Sequence, residues 1–193
     1  IVLAGIACGG LAAAWWLRRS PDAHRLASSV AFSAGLLCVI SYAAFPRIIA
    51  PLALSTITKP LAILHVGAPL MFPVSFLSGI LFTLLGAALR SHLASETETA
   101  GVLTLANTAG AAIGSLTAGF VLLPALGMER SFFLIAVLYG VIGLLLWRTA
   151  KGRPTERAGK RTTAYAIAAM FLVGLALFPF GSMEQRLLPV PVK

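Results

Sequence analysis

Side chains able to act as acids, bases, nucleophiles or metal ligands are few in this sequence, and their spacing gathers no set of them. Asp22, Glu96, Glu98, Glu129, Glu156 and Glu184 all fall between apolar runs or in the C-terminal tail. A proton-coupled carrier, or a carrier for a polycation, places carboxylates inside its helices, and no apolar run here holds one. His65 lies alone in an apolar run, with His24 and His92 in separate connections, so no metal-ligand spacing arises. A packed or interfacial role is the ordinary one for such a histidine. Cys8 and Cys38 sit in different apolar runs, where a thiol behaves as a small buried hydrophobe. The motifs HExxH and GxSxG and a glycine-rich turn after a strand are missing. Neither a catalytic centre nor a cofactor or metal site is therefore expected within this chain.

The chemistry that the spacing does support is close helix contact. Ala106, Gly110, Gly114 and Ala118 recur at steps of four, and Asn107, Ala111, Ser115 and Gly119 form a second stripe beside them. Residues four apart share a helix face, so the two stripes make one smooth surface, leaving Ile113, Leu116, Phe120 and Leu123 to face lipid or bulkier partners. Lipid supplies little hydrophobic drive for association, and small residues compensate by letting backbones approach. Gly5, Gly9 and Ala13 repeat the pattern, as do Ser75, Gly79, Thr83 and Ala87. Asn107, on the edge of its face, must find hydrogen-bond partners in or near hydrocarbon. An interhelical bond or a cap meets that need, and so does a ligand or gating contact.

Such residues require helices that sit in oil. Hydrophobic residues make up 59% of the 193-residue chain and charged residues 11%, against roughly a quarter charged in soluble domains. A water-facing surface cannot be covered from that stock. Taking a span as ~20 apolar residues, hydropathy gives six runs, at 1–17, 26–45, 61–89, 100–123, 131–147 and 163–178. Pro46 and Arg47 close the second run. Pro124 and Gly127 close the fourth, followed by a tight turn through Met128, Glu129 and Arg130, and Pro179 closes the sixth. Pro69 and Pro73 each delete a backbone hydrogen bond inside the third run, so a kink or local break is expected there. The interrupted stretch Ile48 to Thr58 reads as an interfacial or re-entrant connector, and 181–193 as a linker. The opening at Ile1, already inside an apolar run, reads as a fragment boundary. The fold expected is an all-α integral membrane protein, a bundle of about six transmembrane helices.

Lys and Arg orient it. The chain has 15 of them against 6 Asp and Glu, and they lie in short gaps between apolar runs, unlike the solvated basic face of a nucleic-acid binder. Arg18, Arg19, Arg25, Arg90, Arg148, Lys151, Arg153, Arg157, Lys160 and Arg161 occupy alternate loops, leaving Arg47, Lys59, Arg130, Arg186 and Lys193 on the other side. Positive residues near span ends stay in the cytoplasm. Loops 18–25, 90–99 and 148–162 are thus expected there, in a multi-pass protein of the cytoplasmic membrane. Trp15, Trp16 and Trp147 fall at the same ends, as interfacial anchors do. The partners implied are the lipid bilayer, with anionic lipid near the basic loops, and no nucleic acid.

A family resemblance rests on the fourth run. Leu105-Ala106-Asn107-Thr108-Ala109-Gly110-Ala111-Ala112-Ile113-Gly114 and Gly119-Phe120-Val121-Leu122-Leu123-Pro124-Ala125-Leu126-Gly127 resemble the signature of bacterial membrane-bound spermidine synthase-like proteins. Ala4-Gly5-Ile6-Ala7-Cys8-Gly9, closed by Arg18-Arg19, is similar to the family's second span, and Phe76-Leu77-Ser78-Gly79 to its kinked fourth. Thr83 and Thr104 stand where the family usually has proline and tyrosine. The resemblance implies a major-facilitator-like helical domain joined to a soluble aminopropyltransferase domain of polyamine biosynthesis, with the transferase chemistry in that soluble domain. It makes Asn107, Gly110, Gly114, Gly119 and Pro124, with Gly5, Gly9 and Gly79, signature and packing residues, and assigns none of them to catalysis. The recurrence of Gly5–Gly9 at Gly110–Gly114, three spans on, agrees with the inverted repeats of major-facilitator halves. Half of a small-molecule transporter and a structural membrane anchor are the other readings.

Overall fold

The computed structural model describes residues 1–20, 26–49, 60–90, 93, 95–150 and 158–181, without the side chains of 60, 62, 150 and 158–161. Within them the chain forms α1 (Val2–Arg19), α2 (Ala27–Ile49), α3 (Pro60–Leu89), α4 (Glu96–Thr117), a π turn (Ala118–Leu122), α5 (Leu123–Ala150) and α6 (Ala158–Ala176). Ala27–Ile49, Ile63–Leu89 and the joined run Glu96–Thr149 are long and apolar enough to cross a membrane, whereas the apolar part of α6, Thr162–Ala176, is shorter. Large apolar side chains stand outward from every helix; Leu3, Leu61 and Phe120 are 82%, 80% and 78% exposed. Water does not tolerate a surface of that kind, and the architecture is compatible with a helical membrane protein.

Contacts along the helices fix their relative directions. Successive α1 glycines meet successively later α3 residues, Gly5 at Ser75, Gly9 at Ile80 and Gly10 at Thr83, so α1 and α3 run parallel. The α2–α5 contact reverses: Tyr42 meets Phe132, Gly35 meets Ala136, and Phe32 meets Trp147. Phe32 with Phe171, Leu36 with Gly174 and Tyr42 with Phe178 make α2 and α6 parallel. Thus α1, α3 and α5 point one way and α2 and α6 the other. One core cluster joins Ala13, Val30, Ile80 and Leu84 near the ends of α1, α3 and α5, and a second joins Cys38, Tyr42, Ala136 and Phe178 toward the opposite end.

Several boundaries differ from those read in the sequence. The fourth helix begins at Glu96 rather than Ala100, because Ser95 caps it: its Oγ accepts from the Glu98 amide at 3.1 Å, and Glu96 and Glu98 lie in the first turn. It does not end at Pro124. The π turn before that proline shifts the pairing, so that the Leu123 amide bonds Ala118 five residues back, and the wide turn relieves the clash a proline ring makes with the carbonyl four residues earlier. The break comes at Gly127, with φ 72° and ψ 176°, a left-handed backbone that favours glycine. Met128, Glu129 and Arg130 are helical, not a turn. Pro46 lies inside α2, which continues to Ile49, since a proline removes one donor without always ending a helix. Pro69 and Pro73 both lie inside α3, which runs through them as one helix without the local break expected. The sixth helix spans Ala158–Ala176 rather than 163–178. His24, His92, the connector beyond Ile49 and the linker beyond Gly181 lie outside the described residues.

Candidate functional site

Three groupings of side chains stand out, and the first is a seam of backbone contact between α1 and α3. A Cβ built at Gly9 would fall on the Phe76 carbonyl, with that carbonyl's carbon at 2.9 Å and the Ile80 nitrogen at 3.1 Å. At Gly79 it would fall on the Ile6 carbonyl, with Ile6 Cα and C both at 2.9 Å, and at Gly5 it would lie 2.7 Å from Ser75 Cβ. The α-hydrogens of Gly9 and Gly79 therefore point at carbonyls across the seam, the weak C–H···O geometry of close helix pairs. Ser75 and Thr83 turn their hydroxyls back to Met71 and Gly79 of their own helix, at 2.8 and 3.0 Å, which keeps the seam free of unpaired donors.

The signature face on α4 has a different environment. Asn107 is exposed, and Cβ positions at Gly110, Gly114 and Gly119 meet nothing within 4 Å. Leu103 approaches Gly86, and through such contacts α4 meets α3, but α4 does not pack on α6 as α1 packs on α3. The structure thus brings Gly5, Gly9 and Gly79 together and leaves Asn107, Gly110, Gly114 and Gly119 on an open surface, with Pro124 in the first turn of α5, just past the π turn.

The second grouping consists of two polar joints that sequence reading missed. At mid-bundle, Ser78 Oγ and Tyr139 Oη lie 2.8 Å apart and tie α3 to α5, while Ser78 also donates to Val74 O at 2.9 Å. At one end, Glu129 Oε1 accepts from Tyr42 Oη and from the Gly181 amide, both at 2.5 Å. That carboxylate joins α2, α5 and the segment after α6. The segment turns at Gly181, φ 79°, and seats Phe178 on Tyr42 at 4.7 Å between stacked rings, with Phe133 edge-on at 5.2 Å. In the sequence alone, Gly127-Met128-Glu129-Arg130 after a proline suggests a turn and hides the role of Glu129. The available signal was the aromatic spacing Phe132, Phe133, Phe178 and Phe180.

The third grouping lies at the other end of the bundle. Arg18 and Arg19 close α1, Arg90 follows α3 and Arg148 lies near the end of α5. The Arg19 guanidinium carbon sits 3.8 Å from the Trp15 ring centroid. Trp147 meets Phe32 edge-on at 6.0 Å and Tyr165 at 4.7 Å. Arg90 pairs with Glu96 across the α3–α4 connection.

His65 is exposed on α3, Cys8 is exposed on α1 and Cys38 is buried in α2. Among the described residues, no three of His, Cys, Asp and Glu converge. Compared with protein-family models, curated proteins and solved structures, this chain matches none.

Proposed function

We propose that this chain is the transmembrane domain of a spermidine synthase-like membrane protein, in which the aminopropyl transfer belongs to a soluble domain and the helices hold that domain at the cytoplasmic membrane. The observation carrying the reading is the sequence signature around Asn107, Gly110, Gly114 and the Pro124–Gly127 segment. The helix directions support the membrane part of it. With α1, α3 and α5 parallel, the arginines ending those helices gather at one end of the bundle, as the positive-inside rule requires of a multi-pass protein. Six crossings then put 18–25, 90–99 and 148–162 in the cytoplasm.

Two measurements test it. Cysteines introduced by Ser20→Cys and Thr149→Cys in a Cys8→Ala background label from the cytoplasmic face, and Met128→Cys labels from the opposite face; Ser20→Cys and Thr149→Cys labelling from different faces refutes the topology. A gene reading frame that lacks a nucleotide-binding strand–loop–helix unit adjoining this domain refutes the family reading. The open α4 face favours one second reading, half of a major-facilitator-type transporter whose other half covers Gly110 and Gly114. Saturable uptake of a small molecule by the reconstituted full-length protein, without transferase activity, decides for that reading.

A further inference from the structure

Among the described residues, the basic end of the bundle contains two arginines with no protein counter-charge and one aromatic ring that stacks against one of them. Arg18 and Arg19 lie in the last turn of α1, both exposed, and the helix stops as the Ser20 amide bonds Trp16 O at 2.9 Å. Among the described residues, no carboxylate pairs with either; the ion pair described at this end belongs to Arg90 and Glu96. Arg19 is stacked over Trp15, 3.8 Å from the ring centroid, while Trp15 itself is 58% exposed. A stacked guanidinium keeps its in-plane N–H donors directed outward, and the stacking removes much of the rotamer freedom that an arginine otherwise loses on binding. Trp16, beside them, turns into the core cluster with Leu17, which anchors the turn.

We propose that Trp15, Arg18 and Arg19 form a binding site for the headgroup of an anionic phospholipid in the cytoplasmic leaflet, a proposal that rests on the transmembrane reading above. The free carbonyls at the C-terminus of α1 disfavour an anion by themselves, and two adjacent guanidinium groups overcome this. A phosphodiester offers two oxygens to the fork of Arg19 and a third contact to Arg18. The exposed Trp15 ring lies at the level of the glycerol backbone, where tryptophan is favoured. A zwitterionic headgroup carries its own ammonium and leaves the net charge of the two guanidinium groups at +2, whereas a singly anionic one lowers it to +1, so the site selects for net negative lipid. Arg148 lies in the last turn of α5 at this end of the bundle and contributes to the general positive field.

The test uses the intact chain in detergent, offered equal amounts of phosphatidylglycerol and phosphatidylcholine, with bound lipid read by native mass spectrometry. Retention of phosphatidylglycerol over phosphatidylcholine is expected at about 25-fold, falling to about fivefold for Arg18→Gln or Arg19→Gln and to near parity for both together. Arg19→Lys, which keeps the charge and loses the planar stack, is expected between wild type and Arg19→Gln. Circular dichroism on each variant separates lost binding from lost folding. Quenching of Trp15 by brominated phosphatidylglycerol, in a Trp16→Phe, Trp147→Phe background of unchanged helicity, places the lipid at this turn. Equal retention of both lipids overturns the proposal, as does an Arg148→Gln loss as large as that of Arg19→Gln, which indicates a diffuse field and no site. Competition by glycerol phosphate at the same concentration as the lipid also overturns it, in favour of a free phosphate ester. A chain that stays dispersed without detergent fails the membrane reading instead, and so is distinguishable.

Discussion

Replacing Gly79 by alanine puts a methyl group where the backbone of α1 already lies. The new Cβ falls 2.9 Å from both Cα and C of Ile6 and closer still to its carbonyl oxygen, and these are main-chain atoms that move only with the whole helix. Ordinary carbon contact starts near 3.4 Å, so α1 must retreat from α3 by at least about half an ångström. A gap of that size forfeits roughly a quarter of each dispersion contact it opens, and it opens them along Gly5, Gly9, Ser75 and Phe76 together. Overpacking of this kind costs about 1–3 kcal/mol, from which alanine's better helix propensity recovers up to ~1 kcal/mol. The expected net loss is therefore about 1–2 kcal/mol, or a fall in Tm of roughly 2–8 °C for a chain of this length. Cys38 provides the assay. It is buried in α2, so a thiol-reactive dye reports unfolding once the exposed Cys8 has been removed by Cys8→Ala. Gly9→Ala strikes the same seam from the other side and should fall similarly, and the double variant should lose less than the sum, because the second methyl meets a seam already widened. Gly110→Ala, with nothing within 4 Å, is the control and should not lower Tm. Unchanged Tm in both Gly79→Ala and Gly9→Ala refutes the close α1–α3 contact and the reasoning built on it.

Glu129→Leu removes the acceptor shared by Tyr42 and the Gly181 amide and is expected to cost about 1–3 kcal/mol, with faster hydrogen exchange at Phe180 and Gly181; protection there equal to wild type counts against the joint. Tyr139→Phe deletes one hydrogen bond and leaves Ser78 its bond to Val74, so a loss of about 0.5–1.5 kcal/mol is expected in the dye assay, and adding Ser78→Ala should cost little more. Ser95→Ala removes the cap of α4 for about 1 kcal/mol and should speed exchange of the Glu98 amide while leaving Cys38 protection nearly intact.

Much of the helical layout was legible because hydrophobic length is a coarse and strong signal: α1, α3 and the join near Gly127 fall close to where the apolar runs and breakers put them. Pro46 and Pro124 do not end the helices that their type suggests. Pro46 lies inside α2 and Pro124 follows a π turn within a continuing helical run, since losing one N–H is tolerable where neighbouring turns adjust the pairing. Ser95 and Glu98 form a serine–x–x–glutamate capping pattern that a hydropathy reading passes over as loop. The polar joints were illegible for another reason. Tyr42 and Glu129 are 87 residues apart and Ser78 and Tyr139 are 61 apart, and nothing local in the sequence marks one as the partner of the other.

The two glycine stripes show where pattern stops and environment takes over. Gly5–Gly9 and Gly110–Gly114 share the same spacing, yet the first lies against the main chain of α3 and the second against nothing in the described chain. A small-residue stripe states only that a backbone can come close; which backbone comes is fixed by the partner's own small residues, here Gly79 and Ser75 placed to receive Ile6 and Gly5. Among the described residues, no matching set on α5 or α6 meets the α4 stripe. Under the proposal that this chain is the membrane domain of a larger protein, alanine scanning of Gly110 and Gly114 in that protein, compared with this chain alone, separates a covered face from an uncovered one. A methyl that is harmless here and destabilising there identifies α4 as the helix through which the domain meets its neighbour.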